Sequence, residues 1–428
     1  MSRSVGAAPT GALAVHRRSV PVLAATQVLG GVGVASGIAV NGLLAEQLSG
    51  SASLSGLAQT MGVLGAALLA VPLARLAGRR GRRPALAGGY LVGAVGASVS
   101  VLAAVSHLFG LLLVGAALFG GGTASGLQAR YAAIDGADAA HRGRSLSLVV
   151  WATTIGSVAG PNLSSAGARL GASVGIPRLA GPYLFSLTAF VACAAVVTLL
   201  LRPDPLLTAA AERSTAERST AERSTAERPA GFRAAVRAVG AVPGARLGLV
   251  AVGTAHAVMV SVMVMTPVYL HGGGATLEIV GVVISLHIAG MYALSPVVGA
   301  LSDRVGRVPV IWLGLVVLGA ALILAGTAAP TDHLRLGTGL TLLGVGWSAC
   351  VVAGSTMLSE SVGAGVRTSV QGLSDLVMGL SAAGAGALAG PVLDGAGYSW
   401  LTVAAATLLV PVLILTAVPR RAAMPQPG

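Results

Sequence analysis

Three ionisable side chains stand inside long apolar stretches of this sequence: His256 and His287 near mid-depth, and Asp375 about a third of the way in. A histidine binds and releases a proton near neutral pH, and an aspartate can do so where an apolar setting disfavours its charge. Ionisable groups are costly among apolar residues, so they usually face a cavity. The three residues are therefore candidate proton carriers. The alternatives are a neutral histidine bonded to a neighbouring carbonyl, and an aspartate exposed near a helix start.

Two glycine- and arginine-rich segments, 74–84 and 299–309, interrupt the apolar sequence. Residues of the first segment recur in the second at an almost constant separation along the chain. The same separation relates a later pair of acidic residues and a later pair of arginines. Separations of 225 positions relate Gly81 to Gly306, Arg82 to Arg307, Pro84 to Pro309 and Asp135 to Glu360, and 223 positions relate Arg144 to Arg367. Several matches at one offset indicate two copies of one unit.

We expect these residues to be held in place by membrane helices. The chain is 54% hydrophobic and only 10% charged, whereas soluble domains carry about 25% charged residues. Apolar stretches long enough to cross about 30 Å of hydrocarbon recur along it. They lie at 20–45, 53–74, 84–106, 108–129, 146–168, 181–201, 247–270, 277–301, 308–329, 336–358, 369–391 and 397–418. We predict an all-α integral membrane protein with about twelve spans, six in each half.

Three regions follow from this pattern. Residues 1–201 form the N-terminal six-helix half, 202–246 a cytoplasmic linker, and 247–428 the C-terminal half with a short tail. The linker carries repeats of Ala-Glu-Arg-Ser-Thr, which offer no apolar face at a helical or strand period. We expect a tether between the halves, with a regulatory role for its Ser and Thr residues as the alternative.

The basic residues set the orientation. All 27 are arginine, and all except Arg169, Arg178 and Arg335 fall in the N-terminus, the even-numbered connections or the C-terminus. Arginine concentrates on the cytoplasmic side, so both termini should be cytoplasmic. Arginines beside anionic lipid account for the net charge of +13, and no basic stretch is interleaved with aromatics as nucleic-acid binding would require.

The segment Gly299 to Pro309 resembles the cytoplasmic loop motif of the major facilitator superfamily of secondary transporters. The resemblance implies two halves that rock between outward-open and inward-open states, with the loop as a conformational latch. It carries over to Asp303, Arg304, Gly306, Arg307, Glu360, Arg82, Asp135 and Arg144. Asp303 would meet the start of an opposite-half helix near Arg144, while Arg307 pairs with Glu360 and Arg82 with Asp135. The first-half copy has Gly78 where the aspartate would stand, so the latch is asymmetric. The alternative is surface charge that only sets topology.

The segment Gly156-x-x-x-Gly160-Pro161 resembles a signature of the drug/proton antiporters of this superfamily. The resemblance implies export driven by protons. Glycines four apart are also common wherever membrane helices pack closely, which is the alternative. The fourth span has Ala116 to Leu118 where such exporters carry an arginine, so coupling would have to use another titratable residue.

Other side chains within the spans are candidates for a largely apolar substrate cavity, or equally for helix packing. They are Gln27, Asn41, Trp151, Asn162, Met259, Met263 and Trp347. Methionines repack and aromatic rings stack, which suits lipophilic compounds of varied shape. The absence of lysine and of intramembrane arginine argues against an anion such as phosphate.

Enzyme activity is not expected. Without lysine the chain has no phosphate-loop ATP site, and it has no His-Glu-x-x-His and no paired Cys-x-x-Cys. We therefore expect no cofactor or metal. The sequence favours a monomeric, proton-coupled exporter of lipophilic small molecules in a bacterial plasma membrane. An uptake permease and a membrane sensor or scaffold without transport are the alternatives.

Overall fold

The computed structural model describes residues 11–133, 135, 142–209, 211 and 232–417. These residues form helices joined by short turns, and no strand occurs among them. The N-terminal half contains α1 (Gly11–Ser49), α2 (Ser55–Arg80), α3 (Arg82–Ser106), α4 (Phe109–Ala132), α5 (Arg142–Asn162), α6 (Ser164–Ser173) and α7 (Pro182–Leu200). The C-terminal half contains α8 (Phe232–Ala241), α9 (Pro243–Gly272), α10 (Leu277–Tyr292), α11 (Ser295–Val305), α12 (Arg307–Gly326), α13 (His333–Glu360), α14 (Ala364–Ala396), α15 (Tyr398–Thr407) and α16 (Val410–Ala417).

Within these ranges, eleven helical segments are long and apolar enough to cross a membrane. One of them, Leu277–Val305, joins α10 to α11. It is interrupted just before Pro296, which has no backbone N–H to donate. Helix α5 is 21 residues long but more polar, and it packs between α1 and α10. It stands where the remaining span was predicted, and the prediction of an all-helical membrane protein of this architecture is confirmed.

Each half buries its own apolar core. Tyr90, Phe190 and Leu86 are among the fully buried residues of the N-terminal half, and Met265 and Leu318 among those of the C-terminal half. Helix α8 packs against α14. Nearly all of the Ala-Glu-Arg-Ser-Thr repeats lie outside the described residues, so the linker and its boundaries stay predictions.

Two turns at one end of the bundle have the same backbone geometry. Gly81 joins α2 to α3 with φ of +92°, and Gly306 joins α11 to α12 with φ of +93°. Residues with a Cβ are strained in this region, so glycine is required at both turns. We call this end of the bundle the arginine end, and the opposite end, where α1 leads into α2, the far end.

Candidate functional site

Ion pairs at the arginine end tie each turn to its own half. Arg307 donates to Asp303 at 2.6 Å and to Glu360 at 2.8 Å. Arg82 donates to Asp135 at 2.7 Å. Glu360 is the last residue of α13, and Asp135 follows the end of α4. The two expected pairings, Arg307 with Glu360 and Arg82 with Asp135, are thus both present.

Asp303 was also expected to contact the start of a helix in the opposite half. Its side chain is 72% exposed and pairs with Arg307 of its own half, while Arg304 is exposed. Helix α5 of the opposite half begins at Arg142, but the side chain of Arg144 lies outside the described residues. A contact between Asp303 and the start of α5 therefore stays a prediction.

Polar contacts join the two halves at the far end. Arg169 of α6 lies 3.5 Å from Glu278 of α10. Ser53, in the 3-10 turn between α1 and α2, donates to Asp394 of α14. Glu278 comes 225 positions after Ser53, and Asp394 comes 225 positions after Arg169. The two contacts therefore join equivalent positions of the internal repeat. One of them is an ion pair and the other is a hydrogen bond.

The next contacts toward the middle of the bundle repeat in the same way. Thr60 of α2 donates to the carbonyl of Ala383 in α14 at 3.0 Å. Ser285 of α10 donates to the carbonyl of Val158 in α5 at 2.7 Å. These two contacts are again related by 225 positions. Asn162, a predicted cavity residue, donates to the Ser285 hydroxyl at 2.7 Å and so belongs to this contact.

Between these two levels the helix backbones nearly touch. A Cβ placed on Gly56 would lie 1.9 Å from the carbonyl oxygen of Gly386, and one on Gly281 would lie 2.5 Å from that of Pro161. The two approaches share the offset of 225. We name the whole set the far-end gate. It comprises Arg169 with Glu278, Ser53 with Asp394, Thr60 with Ala383, Ser285 with Val158, Gly56 with Gly386 and Gly281 with Pro161.

A cluster of His256, Trp347 and Tyr292 occupies the middle of the C-terminal half. The indole Nε1 of Trp347 donates to Nδ1 of His256 at 3.0 Å. Because an indole N–H can only donate, Nδ1 of His256 carries no proton and the neutral ring holds its proton on Nε2. The rings of Tyr292 and Trp347 meet edge to face, 5.8 Å apart. A proton added at Nδ1 would break the bond to Trp347, so this pair can respond to protonation.

Two charged residues from opposite halves lie within electrostatic range of each other near this region. Asp375 is exposed on α14, and Arg130 is partly buried near the end of α4. The positive charge of Arg130 lies within electrostatic range of both Asp375 and Tyr292. Sequence reasoning missed Arg130, which stands one position beyond the predicted fourth span, and it missed Tyr292. We call Arg130, Tyr292, His256, Trp347 and Asp375 the mid-cleft cluster.

The mid-cleft cluster does not follow the internal repeat. The positions 225 residues earlier than His256, Trp347, Tyr292 and Asp375 are Gly31, Gly122, Ala67 and Val150. A Cβ on Gly31 would lie 2.9 Å from the carbonyl oxygen of Thr153, so that position serves close packing of α1 against α5. The far-end gate is common to both halves, whereas the mid-cleft cluster takes four side chains from the C-terminal half and Arg130 from the N-terminal half.

His287 lies apart from this cluster. It is fully buried, and its Nδ1 bonds to the carbonyl oxygen of Leu340 at 2.7 Å. A carbonyl can only accept, so Nδ1 is protonated and the ring is held between α10 and α13 within one half. This is the environment of a packing histidine. Among the described residues, no group of three His, Cys, Asp or Glu side chains is placed to hold a metal.

In the N-terminal half, one predicted cavity residue borders a cavity. Asn41 lines a space of about 120 Å³ together with Gln59, Phe119 and Thr123. Its side-chain oxygen accepts from the hydroxyl of Tyr183 at 2.9 Å. Gln59 also borders the space between the halves, although no pattern in the sequence singled it out.

The remaining predicted cavity residues divide between packing and exposure. Gln27 is buried and donates to the carbonyl of Gly126 at 3.1 Å. Met259 is 3% exposed in the C-terminal core, while Met263 borders the space between the halves. Trp151 is 54% exposed on α5. Met259 and Gln27 therefore pack against their own half rather than face a cavity.

The Gly156, Gly160 and Pro161 segment serves helix contact. A Cβ on Gly156 would lie 2.0 Å from the carbonyl oxygen of Val28, and one on Gly160 would lie 2.7 Å from the Cβ of Ala35. Both glycines thus let α5 pack closely against α1. The carbonyl of Pro161 belongs to the far-end gate. These contacts are those of a packing motif, and the link to antiport stays a prediction.

Comparisons with known proteins agree with this architecture. The MFS-type transporter YddS of Bacillus subtilis (strain 168) is 36% identical over 407 residues, which cover 94% of this chain and 91% of YddS. The riboflavin transporter RfnT of Brucella anthropi is 27% identical over 95% of this chain and 98% of RfnT. A bacterial homolog of the human lysosomal transporter Spinster, solved in an inward-facing and unoccupied conformation, shares the fold with a TM-score of 0.69 at 15% identity, covering 94% of this chain and 96% of that one. The family model of the Major Facilitator Superfamily matches residues 21–383 and 247–427, and the chain belongs to that superfamily.

Proposed function

We propose that this transporter moves small lipophilic molecules by alternating access, and that the structure is closed outside and open to the cytoplasm. The far-end gate carries the proposal, because it joins the halves at one end by contacts that both copies of the repeat supply. At the arginine end, the ion pairs of Arg82 and Arg307 stay within their own halves. From the excess of arginine we infer that this end and both termini lie in the cytoplasm, in a cell that we propose is bacterial.

We further propose that transport is coupled to protons through the mid-cleft cluster and runs outward across the plasma membrane. Asp375 is the leading carrier because it is exposed in the middle region and has no repeat counterpart. His256 is the second, because protonation at Nδ1 competes with its bond to Trp347. One chain supplies both halves of the cleft, so a monomer suffices. His287 ranks below both, being enclosed in packing.

A second candidate is transport of a planar heteroaromatic compound such as a flavin, in either direction. Two observations favour it. The similarity to RfnT extends over 95% of this chain, and the partly exposed ring of Tyr292, which meets the buried Trp347 edge to face, offers aromatic surface in the middle of the bundle. Aromatic side chains bind flat ring systems through offset stacking or edge contacts.

Proton release from everted vesicles tests this proposal. Vesicles with an acidic lumen should lose their pH gradient when a transported lipophilic cation, neutral drug or riboflavin is added. Vesicles without the protein should not respond, which is the control. If cells producing the protein instead accumulate a polar nutrient while none of these added compounds discharges the gradient, proton-driven export is contradicted.

The latch proposal has its own test. When the arginine end closes, Asp303 should meet the start of α5, where helix dipoles favour an anion by about 0.3–1 kcal/mol, and by up to about 2 kcal/mol if partly buried. Asp303→Asn should therefore shift the population toward the state open at the arginine end and slow transport. Distances between spin labels across that end would report the shift, and restoring aspartate at Gly78 should oppose it. An unchanged distance distribution in Asp303→Asn would remove the latch.

A further inference from the structure

The guanidinium group of Arg130 is only partly satisfied by the protein. Its Nε is buried and has no hydrogen-bond partner in the described part of the chain. The ion pairs among the described residues involve Arg82, Arg169 and Arg307, and not Arg130. A buried guanidinium nitrogen without a partner costs free energy, because it has lost water and gained nothing in return. Arginines in such positions generally mark the binding of an anion.

The position of Arg130 says where that anion should lie. The residue belongs to the N-terminal half, while the groups within range of its charge, Tyr292 and Asp375, belong to the C-terminal half. In the described ranges, α4 makes no extensive contact with α10 or α14. The charge of Arg130 therefore acts across the boundary between the halves, on the side of the partly exposed Tyr292. The ring of Tyr292 in turn meets the buried ring of Trp347 edge to face.

Asp375 is one candidate partner, but it does not fill the role in this structure. It lies outside ion-pair distance of Arg130, and it is exposed, so solvent can satisfy its charge. The buried Nε of Arg130 has no such compensation. A ligand that brings an acidic group and an aromatic body would satisfy Arg130 and cover Tyr292 in one step.

We propose that the substrate is an amphipathic organic anion, whose carboxylate or equivalent acidic group binds Arg130 while its aromatic body lies against Tyr292. This rests on the proposed function, since it takes the space between the halves as the substrate cleft. It also narrows the lipophilic class expected from sequence, in which Arg130 stood outside the spans. Asp375 places a negative charge within electrostatic range of the same guanidinium and would repel an acid bound there, so removing its charge should strengthen binding of the acid.

Matched pairs of aromatic carboxylic acids and their primary amides test the proposal, because the members of a pair differ in charge and hardly in shape. The panel contains 2-naphthoic acid with 2-naphthamide and a further set of mono-, bi- and tricyclic pairs. Binding to the purified full-length protein is measured by thermal stabilisation and by titration. For at least one pair, the wild-type protein should bind the acid about tenfold more tightly than the amide.

Substitutions at Arg130 and Asp375 test whether the preference for the acid depends on Arg130. Arg130→Gln should remove the preference for the acid and leave amide binding unchanged, Arg130→Lys should keep part of it, and Asp375→Asn should increase it. Arg335→Gln, which changes an exposed arginine at the far end, is the matched control and should behave like wild type. If Arg130→Gln fails to fold, the changes in acid preference in Arg130→Lys and Asp375→Asn still test the proposal.

Several results would overturn the proposal. One is the absence of any acid preference across the panel in the wild-type protein, and another is a preference that survives Arg130→Gln. A third is an equal effect of Arg130→Gln and Asp375→Asn on acids and amides alike, which would make Arg130 a partner of Asp375 only. Binding of amides without acid preference would leave the proposed transport function standing. Failure of the wild-type protein to transport any compound would count against that function itself.

Discussion

Replacing Gly56 with valine is expected to abolish transport while leaving the protein folded. A Cβ at this position would lie 1.9 Å from the backbone oxygen of Gly386 in the opposite half, and backbone cannot move aside as a flexible side chain can. Overpacking of this kind costs about 1–3 kcal/mol, and each 1.4 kcal/mol changes a population roughly tenfold. The far end should therefore be forced open, which transport assays and label distances across that end would both detect.

Two glycines of the same helix serve as controls. A Cβ on Gly65 would also lie 1.9 Å from a backbone oxygen, but that oxygen belongs to Ala117 of the same half. Gly65→Val should accordingly lower the melting temperature. Gly78 has no atom within 4 Å of its Cβ position, so Gly78→Val should be neutral. Normal transport by Gly56→Val, or a loss of folding equal to that of Gly65→Val, would contradict the gate.

Asp375→Asn is expected to reduce proton-driven accumulation at least about tenfold while retaining substrate binding and downhill exchange. The amide keeps the size of the carboxyl group and most of its hydrogen bonding, but it cannot release a proton. Uphill transport into proteoliposomes with an imposed pH gradient, compared with exchange at equal pH, separates the two effects. A packing residue would instead lower stability and leave the response to the gradient unchanged.

The chain offers a matched control in the same helix. Asp394 is also an aspartate of α14, but it lies at the far end and accepts a hydrogen bond from Ser53. Because Asp394 belongs to the far-end gate, Asp394→Asn can change the overall rate, but it should leave the ratio of uphill transport to exchange at equal pH unchanged. If Asp375→Asn keeps full uphill transport, coupling through Asp375 is wrong, and His256→Gln becomes the next variant to measure.

The architecture was predictable because lipid imposes simple demands on sequence. Spans must be apolar and about twenty residues long, and the turns at Gly81 and Gly306 require glycine because of their positive φ. The offset of 225 positions, read from those turns and from Arg82 and Arg307, extends to the far-end gate. Applied to Gly56 or Thr60, it would have pointed to Gly281 and Ser285, although only the structure shows that these positions meet the opposite half.

The site was predicted less well, because depth in a span does not say which way a side chain faces. His287 and His256 are similar in type and depth, yet one is enclosed between α10 and α13 and the other bonds to Trp347 in the mid-cleft cluster. Met259 was a candidate for a cavity or equally for helix packing, and it packs in a core. Arg130 was overlooked, because its position was counted as lying outside the membrane while the structure brings its charge near Tyr292.

We propose that the two ends of the bundle open in alternation around the mid-cleft cluster. Spin labels at the exposed positions Ser173 and Thr331 report on the far end, and labels at the exposed positions Arg80 and Val305 report on the arginine end. The native cysteines, Cys193 and Cys350, are both buried and can be replaced by alanine. Double electron–electron resonance distances are then measured with and without a transported compound. When a transported compound binds, the far-end distance should lengthen as the arginine-end distance shortens. Two distances that change in the same direction, or that do not respond to a compound the protein demonstrably transports, would contradict it.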